Sequence, residues 1–274
     1  MGISLSIFSV ENKVVLLTGG GGVLAGEIAK GFLNAGAKVV LLDINEEYLK
    51  KRIDELKTID KDVAGLKCNV LDKESLESVK ADILKSYRRI DVLINAAGGN
   101  MPGATIGIDN NIFDLEFEQF KKVTDLNLNG TVLPTLIFGR AMADQKSGSI
   151  INISSMAVSR AITRVVGYSA AKAAIDNFTR WMAVELASKF GSGIRVNAIA
   201  PGFLLTNQNR TLLTNPDGSL TERGKSIIAL TPFKRFGDPE ELVGTVIFLA
   251  SEASKFVTAT VIPIDGGFSA FSGV

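Results

Sequence analysis

The chain has no histidine among its 274 residues and only one cysteine, Cys68. The first absence excludes His-based catalytic triads and His-ligated zinc. Acid–base chemistry near neutral pH must then use another side chain with a tuned pKa. The second excludes an internal disulfide and a cysteine metal cluster, so no metal site is expected. No apolar run approaches the ~20 residues of a membrane span. A basic segment followed by an apolar one and a cleavage site is also missing at the amino terminus. Met1-Gly2-Ile3-Ser4-Leu5-Ser6 fits the short myristoylation pattern, which is too loose to outweigh the expectation of a cytoplasmic protein. Neither charge sign is in excess: 30 basic against 29 acidic residues leave +1. That balance gives no pull toward nucleic acid, anionic lipid or an acidic partner.

What is present is apolar content, 46% of the chain, enough for a substantial core. Short runs rich in Val and Ile recur at Val14–Thr18, Lys38–Leu42, Val63–Cys68, Val92–Asn95, Ser149–Ser154, Arg195–Ala200 and Thr260–Ile264. Most lack strict alternation, as strands buried on both faces should. Between them lie segments with helical spacing: Glu46–Ile59, Lys73–Tyr87, Phe117–Asp144, Tyr168–Phe190 and Pro239–Ala250. Such alternation predicts an α/β fold, a single-domain doubly wound (Rossmann) parallel sheet of seven strands with helices on both faces. The stretches near 98–116 and 203–232 fit neither a strand nor a long helix. Each follows the carboxyl end of a strand, where open α/β sheets bind ligands, so they are expected to be substrate loops. The second contains Asn215-Pro216-Asp217-Gly218, a strong turn signal.

After the first strand comes Thr18-Gly19-Gly20-Gly21-Gly22-Val23-Leu24-Ala25-Gly26. A glycine-rich turn there lets backbone approach a pyrophosphate, with the positive end of the next helix aimed at it. Asp43 closes the second strand, where a carboxylate accepts hydrogen bonds from adenosine ribose hydroxyls and repels a 2′-phosphate. Ile44 and Asn45 follow, and the turn carries no Lys or Arg, so the expected cofactor is NAD rather than NADP. Asp43 could also cap the helix from Glu46 onward.

Further motifs follow in order. They are Asn95-Ala96-Ala97-Gly98, Asn127-Leu128-Asn129-Gly130, Ile153-Ser154-Ser155, Tyr168-Ser169-Ala170-Ala171-Lys172 and Arg195-Val196-Asn197-Ala198-Ile199-Ala200-Pro201-Gly202, then Ile264-Asp265-Gly266-Gly267. Together they resemble a short-chain dehydrogenase/reductase over essentially the whole chain. The resemblance implies catalytic roles for Asn127, Ser155, Tyr168 and Lys172. Tyr168 and Lys172 fall on one helix face, where an ammonium favours phenolate and lowers the Tyr pKa from its free value of about 10. Lys172 would also bind the nicotinamide ribose, Ser155 the substrate oxygen, and Asn127 a water relaying protons from Lys172. The implied cofactor contacts are Gly19, Gly22, Val23, Leu24, Asp43, Asn69, Val70, Asn95, Ala96, Ala97, Gly98, Tyr168, Lys172, Pro201, Gly202, Phe203 and Thr206. Two positions depart from the family pattern: Val23 and Ala25 stand where glycines are usual, and Asn69 where Asp usually faces the adenine.

Residues 97–105, 202–210 and 262–274 are similar to those of a subgroup, the D-mannonate oxidoreductases or fructuronate reductases. The implied reaction is D-mannonate + NAD⁺ giving D-fructuronate + NADH, reversibly. The implied substrate contacts are Asn100, Ser155, Met156, Tyr168, Asn207 and Arg210, with Gln208 and Asn209 nearby. Arg210 or Arg164 would supply the cation for a carboxylate. Other polyols or keto acids of the gluconate type, and a non-catalytic NAD-binding sensor on the same fold, remain alternatives. Relatives are commonly tetramers built on the two long helices, so a homotetramer with closed symmetry is expected. The apolar end Phe268–Val274 would cover an active site.

Overall fold

The computed structural model describes residues 5–61, 63–206 and 209–273. The pattern around Gly2, together with Asn207 and Gln208, therefore falls at least partly outside the described residues. Seven strands form one all-parallel sheet: β1 (Val14–Thr18), β2 (Lys38–Asp43), β3 (Val63–Lys67), β4 (Val92–Asn95), β5 (Gly148–Ile153), β6 (Ile194–Pro201) and β7 (Val261–Ile264). Their spatial order is β3-β2-β1-β4-β5-β6-β7. Each expected strand is present, with no end shifted by more than one residue.

Successive side chains of a strand point to opposite faces, and both faces are covered. On one, Val15, Leu17, Val39, Leu41, Val92 and Ile94 pack with α1 (Val23–Asn34), α2 (Glu46–Leu56) and α9 (Val243–Ala250). On the other, Val14, Leu16, Val40, Leu42 and Leu93 pack with α3 (Lys73–Tyr87), α5 (Gly130–Gln145) and α6 (Val166–Phe190). Phe32 and Phe138, both fully buried, anchor the two layers. Truncating either to Ala costs about 3–5 kcal/mol.

The expected helix Phe117–Asp144 is not continuous. It runs as α4 (Phe117–Thr124), a π-turn over Asp125–Asn129, and then α5. The 203–232 stretch is also less irregular than its composition suggests. It holds α7 (Arg210–Leu213) and α8 (Glu222–Leu230), joined by a hairpin turn in which Thr214 pairs with Leu220. Gly218 takes the left-handed conformation of that turn, φ +84°. Its apolar spacing is interrupted by the turn, so no single helical period covers it. Asn45, rather than Asp43, caps α2: its side chain accepts from the Tyr48 N–H at 3.0 Å. No helix among the described residues is long and apolar enough to cross a membrane.

Candidate active site

A cavity of about 1180 Å³ opens over the carboxyl ends of the central strands. This is the switch-point position for ligands of a doubly wound sheet. One end is walled by the glycine turn, Asp43, Asn69, Val70 and Ala96–Gly99. The other is walled by Asn100, Ser155, Met156, Arg164, Tyr168, Phe203 and Arg223.

The glycine turn is wired to its neighbours through backbone. Thr18 Oγ1 accepts from the N–H groups of Ala96 and Ala97, each at 3.1 Å, tying β1 to the chain leaving β4. Gly19 has φ +65°, and a Cβ there would sit 2.8 Å from Ala97 Cα, so only glycine fits. Gly22 N–H donates to the Gly19 carbonyl at 2.9 Å and closes the turn. The departures at Val23 and Ala25 are thereby absorbed. Ala25 is buried in the core, and the bare Cα of Gly26 leaves room for the Arg52 guanidinium of α2. Gly22, the N-cap of α1, offers no side-chain cap, and the first turn has no acidic residue. The positive end of α1 therefore faces the cavity.

Asp43 Oδ2 accepts from Gly21 N–H and its Oδ1 from Asn45 N–H, both at 2.9 Å. The carboxylate is thus fixed at the cavity wall. Asn69 Oδ1 accepts from Leu71 N–H at 3.0 Å, and Val70 packs beneath it against Gly130. Pro201, Gly202, Phe203 and Thr206 line the opposite wall. Asn95, expected among the cofactor contacts, is not on this surface. It is buried below the floor, donating to Thr135 Oγ1 at 2.9 Å and Asn152 Oδ1 at 2.8 Å, and so joins β4 to β5 and α5. Its place at the last position of a central strand aims the side chain into the sheet.

Tyr168 and Lys172 lie one turn apart on α6, as their spacing requires. Lys172 is almost wholly enclosed, and its Nζ donates to the Ile153 carbonyl at 2.7 Å while sitting 5.5 Å from the Tyr168 ring centre. Burial lowers its pKa from 10.5 to about 8, with Asp176 opposing. The expected drop in the Tyr168 pKa is not seen in this geometry. Burial pushes the phenol up, and a hydrogen bond with Ser155 offsets only part of that rise. The physical reason is placement: the ammonium lies over the ring and is committed to a carbonyl rather than to the phenol oxygen.

Asp176 is one more turn along the same helix face and is bonded by the Ser154 hydroxyl. Burial raises its pKa, against the pull of Ser154, Arg180 and Lys172. It did not emerge from sequence reasoning, although its spacing from Lys172 in an apolar stretch was the available signal. Asn127 is fully buried in the π-turn. Its Nδ2 donates to the carbonyls of Gly99 and Val123, each at 2.8 Å, and its Oδ1 accepts from Gly99 N–H at 3.0 Å. The side chain pins the 98–100 loop to α4. Gly98, φ +148°, passes between it and Lys172: a Cβ there would lie 2.6 Å from Asn127 Oδ1 and 3.6 Å from Lys172 Nζ.

At the other end, Met156, Ile162, Tyr168, Phe203 and Phe268 form an apolar cluster, with Phe203 and Phe268 edge to face at 5.3 Å. Arg160 holds the C-terminal segment through the carbonyls of Ser269, at 3.1 Å, and Phe271. Arg210 is exposed at the start of α7 and does not line the cavity, because α7 turns that residue outward. Arg164 does line it, and so does Arg223, which the sequence did not single out. Asn209 spends its side chain on its own loop, accepting from Thr206 N–H and donating to the Leu204 carbonyl, both at 2.8 Å.

Known proteins place this architecture. A family model described as enoyl-(acyl carrier protein) reductase matches residues 22–269. An uncharacterised oxidoreductase of Bacillus subtilis, UxuB, is 43% identical over 97% of this chain and 98% of its own. A Haemophilus influenzae protein crystallised with bound NAD, described as a candidate D-mannonate oxidoreductase, superposes with a TM-score of 0.89. It is 43% identical, with 97% of this chain and 98% of that one covered. An NAD-dependent glycerol dehydrogenase of Listeria innocua is 34% identical over 96% of each chain. Identity of this extent, over a sheet of this order and a cavity at its switch point, means that the chain belongs to the short-chain dehydrogenase/reductase family of oxidoreductases.

Proposed function

We propose that the chain is an NAD(H)-dependent oxidoreductase that interconverts a sugar-acid alcohol and its ketone, D-mannonate and D-fructuronate being the preferred pair. The observation that carries the reading is the meeting of Tyr168 and Ser155 in the same cavity as the uncapped end of α1 and the fixed Asp43 carboxylate. The residues fit a dinucleotide. Gly19 to Leu24 would cradle its pyrophosphate, Asp43 its adenosine ribose, and Asn69 and Val70 its adenine. When bound, NADH supplies the hydride that reduces the carbonyl carbon.

The chain's own residues do the rest. Ser155 holds the carbonyl oxygen by a hydrogen bond, which strengthens as charge develops on that oxygen. Tyr168 donates the phenolic proton to it in reduction and takes a proton from the alcohol in oxidation. Lys172, almost wholly buried at the floor beside Tyr168, would bond the nicotinamide ribose. Asn127 would hold the proton-relay water through its remaining acceptor capacity while keeping the 98–100 loop in place. Asn100 and Met156 would contact the substrate, and the loops near 98–116 and 203–232 would enclose it.

Exposed apolar side chains on α5 and α6 (Leu136, Trp181 and Val184) support a homotetramer, whereas Met182 and Leu186 are taken up by the sheet-facing core. A cytoplasmic location goes with this reading. The test is absorbance of NADH, with NADPH in parallel, over D-fructuronate, 5-ketogluconate, acetoacetyl esters and simple ketones. Fast NADH oxidation confined to D-fructuronate is the expected result. Turnover confined to another compound would replace the substrate, and NADH binding without any turnover would favour a sensor.

A further inference from the structure

We propose that Arg164 and Arg223 form a two-guanidinium clamp for the substrate's carboxylate, and that this clamp selects anionic over neutral hydroxy compounds. The proposal rests on the sugar-acid reading of the same cavity.

The two arginines come from different segments of the chain. Arg164 precedes α6 by two residues and Tyr168 by one turn's length of chain; Arg223 is in the first turn of α8. Both are half-buried and both line the cavity. They lie close enough for the Arg164 charge to act on Arg223, whose pKa is lowered first by burial and then by that charge. Half-buried like charges repel, and the arrangement is favourable only with an anion between them.

No such anion comes from the protein. Among the described residues, no carboxylate lies within 4.0 Å of either guanidinium. By contrast Arg52, Arg89, Arg140 and Arg235 pair with Glu55, Asp91, Asp144 and Glu241. The nearest acid in sequence, Glu222, is spent on Lys225 at 2.7 Å.

Arg164 is also held in position. Its backbone has φ +76°, a left-handed conformation uncommon for a residue with a side chain. It persists here because Ile106 N–H donates to the Arg164 carbonyl at 3.0 Å and Arg164 Nε donates to the Ile106 carbonyl. With Nε spent, the two terminal amino groups remain as a fork suited to a carboxylate. Its place four residues before Tyr168, and its bond to Ile106 in the 98–116 loop, point to the substrate rather than to a phosphate of the cofactor.

The experiment compares wild type with Arg164→Gln, Arg223→Gln, the double variant and Arg223→Lys. Substrates are D-fructuronate and the uncharged ketose D-fructose, and NADH affinity by fluorescence reports an intact fold. Each Gln variant should raise KM for D-fructuronate by tenfold or more with kcat less affected. The ratio of kcat/KM for D-fructuronate over D-fructose should fall by at least tenfold, and Arg223→Lys should lie between. A KM for D-fructuronate within twofold of wild type in both single variants would overturn the clamp. Should wild type not reduce D-fructuronate, the substrate pair fails, and the clamp is tested separately. D-gluconate binding to the NADH-saturated protein, measured calorimetrically with sorbitol as neutral control, should be abolished in the double variant. Equal gluconate binding by wild type and double variant, or none by wild type, would overturn it.

Discussion

The two ends of the cavity are built on opposite plans. Around the glycine turn nearly every polar contact is closed within the protein: Thr18 to Ala96 and Ala97, Gly20 to Leu42, Gly21 and Asn45 to Asp43. What is offered to a ligand there is mostly backbone and a helix end, which can hold an invariant dinucleotide and cannot choose among substrates. Around Arg164 and Arg223 the guanidinium groups have no carboxylate partner among the described residues, and the walls come from segments distant in sequence. Preorganised backbone thus serves the shared cofactor, while open side-chain valences carry the choice of substrate.

The sharpest way to break this contrast is at the residue between the two ends. Tyr168→Phe should lower kcat by about 10³-fold, within the 10²–10⁴ range of general acid–base catalysis, and leave NADH affinity within twofold. A kcat loss below tenfold, measured by NADH absorbance, would remove Tyr168 from the proton's path. Next in size is Lys172→Met, which should be almost inactive and yet no less stable. In the fold Lys172 titrates at about 8 against an ordinary 10.5. Between those values the unfolded chain binds more protons than the folded one, so wild-type stability rises with pH across that window. The variant should lose this slope, its advantage over wild type being greatest below pH 8. Parallel melting curves from pH 7 to 10.5 would count against the assignment.

Smaller effects test each end separately. Asp43→Ser should weaken NADH binding about tenfold, roughly one charge-assisted hydrogen bond, and narrow the preference over NADPH. An unaltered NADH/NADPH ratio would locate the discrimination elsewhere. Asn127→Ala removes three side-chain hydrogen bonds and should lower the melting temperature by about 2–4 °C for each kcal/mol lost. Smallest is removal of Ala270–Val274, which takes away the Phe271 carbonyl held by Arg160 and should raise substrate KM a few-fold with kcat intact.

Strand positions were legible because residues buried on both faces need continuous Val, Leu and Ile, and the turn glycines because Gly19 admits no Cβ. The roles expected of Tyr168 and Lys172 came from the family resemblance, and helical spacing placed the two on one face. The burial of Asn95 was not, since an Asn ending a strand can face the ligand or the sheet, and only the positions of Thr135 and Asn152 decide. Arg223 went unseen and Arg210 was misplaced for one reason. The route of the 203–232 segment depends on the hairpin between α7 and α8, and spacing carries no signal of which arginine that hairpin turns inward. The phenol's rise rather than fall has the same origin, because the position of the Lys172 ammonium depends on the Ile153 carbonyl.

The π-turn at Asp125–Asn129 carries one residue more than an α-helix would hold in the same length. Removing a single residue there would let α4 and α5 fuse into one regular rod, a locally more comfortable state. It would also swing the whole of α4 by about 100° relative to α5, since that is the angle each helical residue subtends. The surplus residue is therefore a phase shifter: it sets the rotation at which Asn127 meets the loop at Gly99. Length variation among relatives should therefore be strongly disfavoured at this point.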